Sequence, residues 1–294
     1  MNPTLQPDLI ADLRELLQFP FMVSALEAGT IVAVLAAVAG WYVVLRRSAF
    51  TSHTLSVMAF PGAAGASLLG LPVSLGYYAA CTMAALALVG PGARRHASTG
   101  SRGSGSSRSG GETAVVGTVQ TVGLAAGFLF LSLNQAVLGS PDALLFGTFL
   151  GITQGQVLAL LVIAALVIGT LAVIGRPLLF ATVDREAAQA GGVPVARLDA
   201  LFLVILALAI AATSQLTGAL LVFALLVAPA ACAQLITAQP VAGLALSIAF
   251  ALGIVWLGLA LAYFSVYPVG FYVTTIAFAL YAGLRLRVWA RRRR

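Results

Sequence analysis

Lysine is absent from this chain of 294 residues, and charge of either sign is scarce. All sixteen basic residues are arginine, nine residues are acidic, and charged side chains make up 9% of the total. A soluble domain carries roughly 25%. The shortfall excludes an ordinary water-facing surface, because 61% of the residues are hydrophobic and the mean hydropathy is +1.03. The choice of arginine over lysine reads as codon usage. Cysteine is rare as well: Cys81 and Cys232 both lie inside apolar runs, which excludes a disulfide framework. No regular polar–apolar alternation runs through the chain, which argues against a β-barrel.

Motifs that would carry chemistry are also missing. There is no His-Glu-x-x-His, no Gly-x-Ser-x-Gly with a partner and no pair of acids, so an intramembrane enzyme is disfavoured. No acidic residue lies mid-span and no internal repeat is visible, which argues against an ion-coupled secondary transporter. A Gly-rich loop ending in Lys-Ser/Thr is absent, so the chain does not bind ATP in that way. The first 20 residues carry Asp8, Asp12, Arg14 and Glu15 where a cleavable signal peptide would have a basic start and an apolar run.

What remains is a series of apolar runs of about 20 residues, the length of a helical membrane span. They predict an all-α polytopic membrane protein with eight or nine transmembrane helices. The nine-span reading places them near 21–45, 49–70, 73–91, 112–133, 155–175, 198–213, 217–237, 241–263 and 270–289. Residues 198–237 can also be read as one broken hairpin, which gives eight spans. Arginines mark alternate loops: Arg46 and Arg47; Arg94, Arg95, Arg102 and Arg108; Arg176, Arg185 and Arg197; then Arg285 to Arg294. The formal charge of +7 is therefore a topological signal and implies no nucleic-acid partner. With nine spans the positive-inside rule puts the C-terminus in the cytoplasm and the N-terminus outside, in the plasma membrane of the cell.

Segments outside the spans have their own character. Residues 1–20 form an amphipathic segment, with Leu5, Leu9, Leu13, Leu16 and Leu17 recurring at helical spacing, suited to the bilayer surface. Residues 97–111 are a Gly/Ser-rich, low-complexity stretch expected to be a disordered cytoplasmic linker within the transmembrane domain, 21–289. The apolar piece 143–152 is too short to span and reads as an external or re-entrant helix capped by Ser140 or Asp142. The tail at 290–294 is basic and reads as a topology and headgroup anchor.

One loop stands out. Residues 176–199 hold Asp184, Glu186 and Asp199 together with Arg176, Arg185 and Arg197, between two nearly uncharged stretches. A short polar helix with Asp184, Glu186 and Ala187, ended by Gly191, suits a contact between a membrane protein and a soluble motor. Other polar candidates are sparse. His53 lies among Ser52, Thr54 and Ser56 in the second apolar run, and ionisable groups in spans face cavities or partners. Glu27 lies near the outer end of the first span, where an interfacial or packing role competes with a ligand role. Cys81, Met58 and Met83 read as packing residues, and His96 as part of a solvated basic loop. Pro61 with Gly62, and Pro229, are expected to kink their helices and let neighbours approach closely.

Three segments, taken in order, resemble the permease subunits of the zinc- and manganese-importing ABC transporter family. They are Val43 to Gly62, with Leu45-Arg46-Arg47 and a closing Pro61-Gly62; Leu145-Phe-Gly-Thr-Phe-Leu150; and Phe180 to Gly191 followed by Thr217 to Ala231. The resemblance covers about residues 20–288. It implies a type II importer fold, a pair of permeases formed as a homodimer or with a related chain, two cytoplasmic ATPase subunits and an extracytoplasmic solute-binding protein. No permanently bound cofactor is implied; the divalent metal is cargo. The family's second span carries an Asp and, four residues later, a His before the Pro-Gly, a pair sharing one helix face. Here those positions are His53 and Val57. The resemblance therefore implies a translocation path with His53, Ser56 and Glu27 as candidate lining or metal-contacting residues. It leaves open a metal complex or other small ligand as cargo. Coupling to the ATPase is implied for Asp184, Glu186, Ala187 and Gly191.

Overall fold

The computed structural model describes residues 20–97, 107–134, 147, 152–219, 221–265 and 267–292. Ten helices account for nearly all of them. They are α1 Pro20–Leu45, α2 Ala49–Leu68, α3 Val73–Ala97, α4 Ser107–Leu133, α5 Gln154–Val183, α6 Arg185–Ala190, α7 Val195–Thr217, α8 Val222–Ile236, α9 Pro240–Tyr263 and α10 Val269–Arg292. Five of these, α1, α5, α7, α9 and α10, are long and apolar enough to cross a membrane. An all-helical solution follows from the solvent. Lipid offers no partner to a backbone N–H or C=O, and a helix satisfies both within one segment.

The chain divides into two compact units. One comprises Met1–Val44, Asp142–Ala165 and Ala212–Arg294; the other comprises Leu45–Pro141 and Leu166–Ala211. In the first, α8, α9 and α10 pack on one another. Helix α1 joins them through small residues. A Cβ at Gly40 would overlap the Leu226 carbonyl of α8, and one at Gly243 of α9 would meet the Trp41 ring. Ser247 Oγ donates to the Ala37 carbonyl across the same contact at 3.3 Å. Gly147, in the left-handed region at φ 76°, sits 2.6 Å from the Gly218 amide nitrogen when a Cβ is built on it, so only glycine fits there.

In the second unit α2 packs on α3 and α4. The α2–α3 crossing is a reciprocal glycine contact: a Cβ on Gly76 would lie 2.7 Å from Ala66 Cβ, and a Cβ on Gly62 would lie 2.9 Å from the Gly76 carbonyl carbon. On the other flank, Gly123 and Gly127 of α4 receive Met58 and Phe60. Small residues carry these contacts because apolar side chains gain nothing by leaving lipid; close packing supplies the attraction instead. Cys81 Sγ donates to the Leu55 carbonyl at 3.5 Å, a packing role in α3.

Several boundaries differ from the sequence expectation. Helix α5 runs on to Val183, past the expected span end at 175 and through Pro177. An interior proline costs about 3 kcal/mol. Burial of Leu178, and of Ala181 against Ala188 and Val195, offsets it. Helix α4 starts at Ser107, inside the stretch read as irregular. Extending a nucleated helix adds a bond per residue fixed, which carries it into weak Ser/Gly sequence. The rest of the linker, residues 98–106, and the amphipathic segment before Pro20 lie outside the described residues, as does the 143–152 piece apart from Gly147 and Ile152. Pro61 and Pro229 both sit inside uninterrupted helices.

The glycine crossing is testable. Gly76→Val is expected to destabilise the protein by about 1–3 kcal/mol, the usual range for overpacking. Gly169→Ala meets nothing within 4 Å and is expected to be neutral or mildly stabilising. Melting of both variants in detergent, followed by fluorescence-detected gel filtration, checks the pair.

Candidate functional site

Helix α2 resolves its polar residues in two ways. Ser52, Thr54 and Ser56 turn their hydroxyls back on their own helix, donating to the carbonyls of Ala49, Phe50 and Ser52 at 2.8, 3.2 and 2.9 Å. In an apolar surround this is the nearest available acceptor. Ser56 is buried with its proton committed in this way. His53 behaves differently. It is half-buried, and its Nε2 lies 3.3 Å from Gln120 Nε2 on α4. With Nε2 unprotonated, the Gln120 amide donates to it; with the amide turned over, Nε2–H donates to Gln120 Oε1. Val57, one turn along, is buried. The site thus offers one imidazole with an amide beside it. Among the described residues no three of His, Cys, Asp and Glu come together.

Gln120 was missed by sequence reasoning. Its signal was there: a long polar side chain inside the apolar run of α4. Nothing local to that run ties it to His53.

Glu27 belongs to the other unit. It is exposed on α1 and faces a groove of about 680 Å³ lined by Leu26, Thr30, Leu161, Trp256 and Leu259 among others. Trp256 Nε1–H donates to Thr30 Oγ1 at 3.0 Å, and Thr30 donates on to the Leu26 carbonyl at 2.7 Å. These polar tips are thereby satisfied, and Glu27 is the charged side chain on an otherwise apolar wall.

The charged loop forms a defined helix. Asp184 is extended at φ −140°, ψ 101°, and its carboxylate accepts the Ala187 amide proton at 2.9 Å, an N-cap on α6. Glu186 adds a second negative charge in the first turn, where the helix dipole favours it. Bonds from the Gly192 amide to the Gln189 carbonyl and from the Val193 amide to the Ala188 carbonyl, both 3.0 Å, close the C-terminus as a Schellman turn. The left-handed residue of that turn is Gly192, at φ 81°; Gly191 keeps an ordinary φ of −75°. Ala188 is fully buried against Ala181 and Val195. Glu186, Ala187, Gln189 and Gly191 are exposed. A six-residue helix is thus seated by one small side chain, with its polar face outward. Asp199 of α7, just beyond, accepts from both Arg185, at 2.7 Å, and Arg46.

These features define a multi-pass helical membrane protein with a polar connector on an apolar scaffold. The chain belongs to the ABC 3 transport family, whose model matches residues 18–286. It is 33% identical to the chelated iron transport system membrane protein YfeC of Yersinia pestis, over 81% of this chain and 77% of that one. It is 28% identical to the manganese transport system membrane protein MntC of Halalkalibacterium halodurans, over 76% and 72%. In fold it is similar to a chain of PsaBC from Streptococcus pneumoniae, solved with a Fab: TM-score 0.79, 22% identity, covering 94% of this chain and 95% of that one.

The cap on α6 gives a local prediction. Asp184→Ala removes an N-cap bond, at a cost of about 1 kcal/mol. Hydrogen exchange of the α6 amides should accelerate roughly fivefold, while exchange in α7 stays unchanged; mass spectrometry of peptides spanning 184–193 measures both.

Proposed function

We propose that this chain is the permease subunit of an ATP-binding-cassette importer for a divalent metal ion, and that α6 is the surface that engages a separate ATPase. The observation that carries the reading is the geometry of α6: capped at both ends, seated on Ala188, exposing Glu186 and Gln189 between two apolar helices, in a chain of the ABC 3 transport family. In this reading the nine long helices cross the membrane, the C-terminus and α6 share the cytoplasmic side, and the chain pairs with a second permease, two ATPase subunits and an extracytoplasmic binding protein. The cargoes named for the relatives, manganese and chelated iron, support a metal.

Mechanistically the chain is a conduit and makes or breaks no bond of its own. His53 offers a neutral imidazole, a ligand suited to zinc and other borderline metals more than to manganese. One strong ligand with an amide neighbour holds an ion weakly, and weak holding allows exit as well as entry. A second reading, a metal complex as cargo, is favoured by Val57, which removes the second ligand one turn from His53.

Two experiments test this. In cells supplied with the ATPase and binding protein, His53→Ala should lower uptake of Zn²⁺ or Mn²⁺ by about tenfold or more, the size seen when support of a metal contact is lost. Val57→His should tighten retention of the ion. Wild-type uptake of the bare ion by His53→Ala would assign the cargo to the complexed form. Glu186→Arg, and separately Gly191→Leu, should leave the protein in the membrane while uptake collapses. Normal uptake in both would remove α6 from the coupling role.

A further inference from the structure

We propose that Asp199 pins a three-residue ionic node, Arg46–Asp199–Arg185, through which α6 and the first turn of α2 move as one piece. The inference rests on α6 being the ATPase contact. It names the positioning residues that would carry displacement from that contact toward His53.

The geometry supplies the link. One carboxylate oxygen of Asp199 accepts Arg185 Nη2 at 2.7 Å, and the other accepts Arg46 Nη2. Arg185 is the first residue of α6; Arg46 is the first residue after α1. The Arg46 guanidinium also lies 4.9 Å from the centroid of the Phe202 ring, itself buried on α7 one turn after Asp199. A topological arginine would stand in water. Arg46 instead retains only 15% of its side-chain exposure and Asp199 24%. Arg46 Nη1 is buried with no hydrogen-bond partner among the described residues. A carboxylate shared by two guanidinium groups at this burial cannot release one arm without leaving charge underpaired.

The chain beyond Arg46 makes the connection directional. Arg47 occupies the left-handed region at φ 54°, a conformation that a side-chain-bearing residue rarely adopts. The turn is held in that state by anchored neighbours: Arg46 on one side and, on the other, Ser48, whose carbonyl accepts the Ser52 amide at 3.0 Å. Helix α2 starts at Ala49, and His53 lies in its second turn. Displacement of α6 therefore reaches the base of the His53 helix through Asp199 and one tight turn. The glycine crossing of α2 on α3 leaves little slack farther along.

The test uses the full transporter, permease with its ATPase and binding protein, in liposomes. Spin labels at Ala190 on α6 and Phe50 on α2, both exposed, report the distance across the node, with Cys81 and Cys232 replaced by alanine, and coupling is measured on the unlabelled protein. The wild type should give one narrow distance distribution. Asp199→Asn should broaden it about twofold and raise ATP hydrolysed per Mn²⁺ transported by about tenfold, the scale expected for loss of a coupled ion-pair network. Asp199→Glu should restore both. Arg185→Gln, at a more exposed arm, should give a smaller change in the same direction, and combining it with Asp199→Asn should add nothing further. An unchanged distribution in Asp199→Asn, or effects of the two substitutions that multiply, would overturn the node. If the wild type takes up neither Zn²⁺ nor Mn²⁺, the bare-ion cargo reading fails, and the distance comparison still decides this one. If no ATPase co-purifies with the wild type, the coupling reading fails instead.

Discussion

Every part of this molecule answers to the absence of water around its backbone. Within the bilayer a peptide group finds partners only in its own helix, and helices gain little by hiding apolar side chains that lipid would solvate equally well. Stability then comes from contact distance. That is why glycine and alanine occupy the crossings: Gly40 under the Leu226 carbonyl, Gly62 against Gly76, Gly127 against Phe60. The same constraint sends the hydroxyls of Ser52, Thr54 and Ser56 back onto carbonyls of their own helix. Polar side chains that cannot do this have to find a partner elsewhere in the chain.

His53 and Asp199 are the clearest cases. Each is a titratable group on a helix, and each is met by side chains from outside that helix: Gln120 for His53, Arg46 and Arg185 for Asp199. Both lie in the same compact unit. A candidate path residue and the seat of the polar connector are therefore built on one rigid set of contacts. Connector α6 itself is held by Ala188, its caps and this ion-pair node, so its polar face is free to meet another protein.

The positions of the helices were largely legible beforehand. The apolar runs anticipated at 21–45, 49–70 and 241–263 correspond closely to α1, α2 and α9. Errors gathered at the ends. The span anticipated at 155–175 stops short of Pro177, yet α5 continues through it because Leu178 and Ala181 have something to pack on. Gly191 ends α6 as expected, and Gly192 beyond it takes the left-handed conformation; the closing hydrogen bonds choose between the two adjacent glycines. Of the candidate site, His53 was visible as a lone imidazole in an apolar run. Ser56 was read with it; its hydroxyl proton is donated to the Ser52 carbonyl of α2.

Composition and run length by themselves determined the class of molecule, the recurrence of apolar segments, the alternation of arginine-bearing loops and the place of the polar connector. These are local properties, set by whether a stretch of about 20 residues prefers lipid to water. Only the tertiary structure decided which polar groups meet. Gln120 stands 67 positions from His53, and Asp199 stands 153 positions from Arg46. Helical periodicity says which residues share a face. It does not say which face of which other helix lies opposite, because in lipid that choice is made by close packing of small residues distributed along the whole chain.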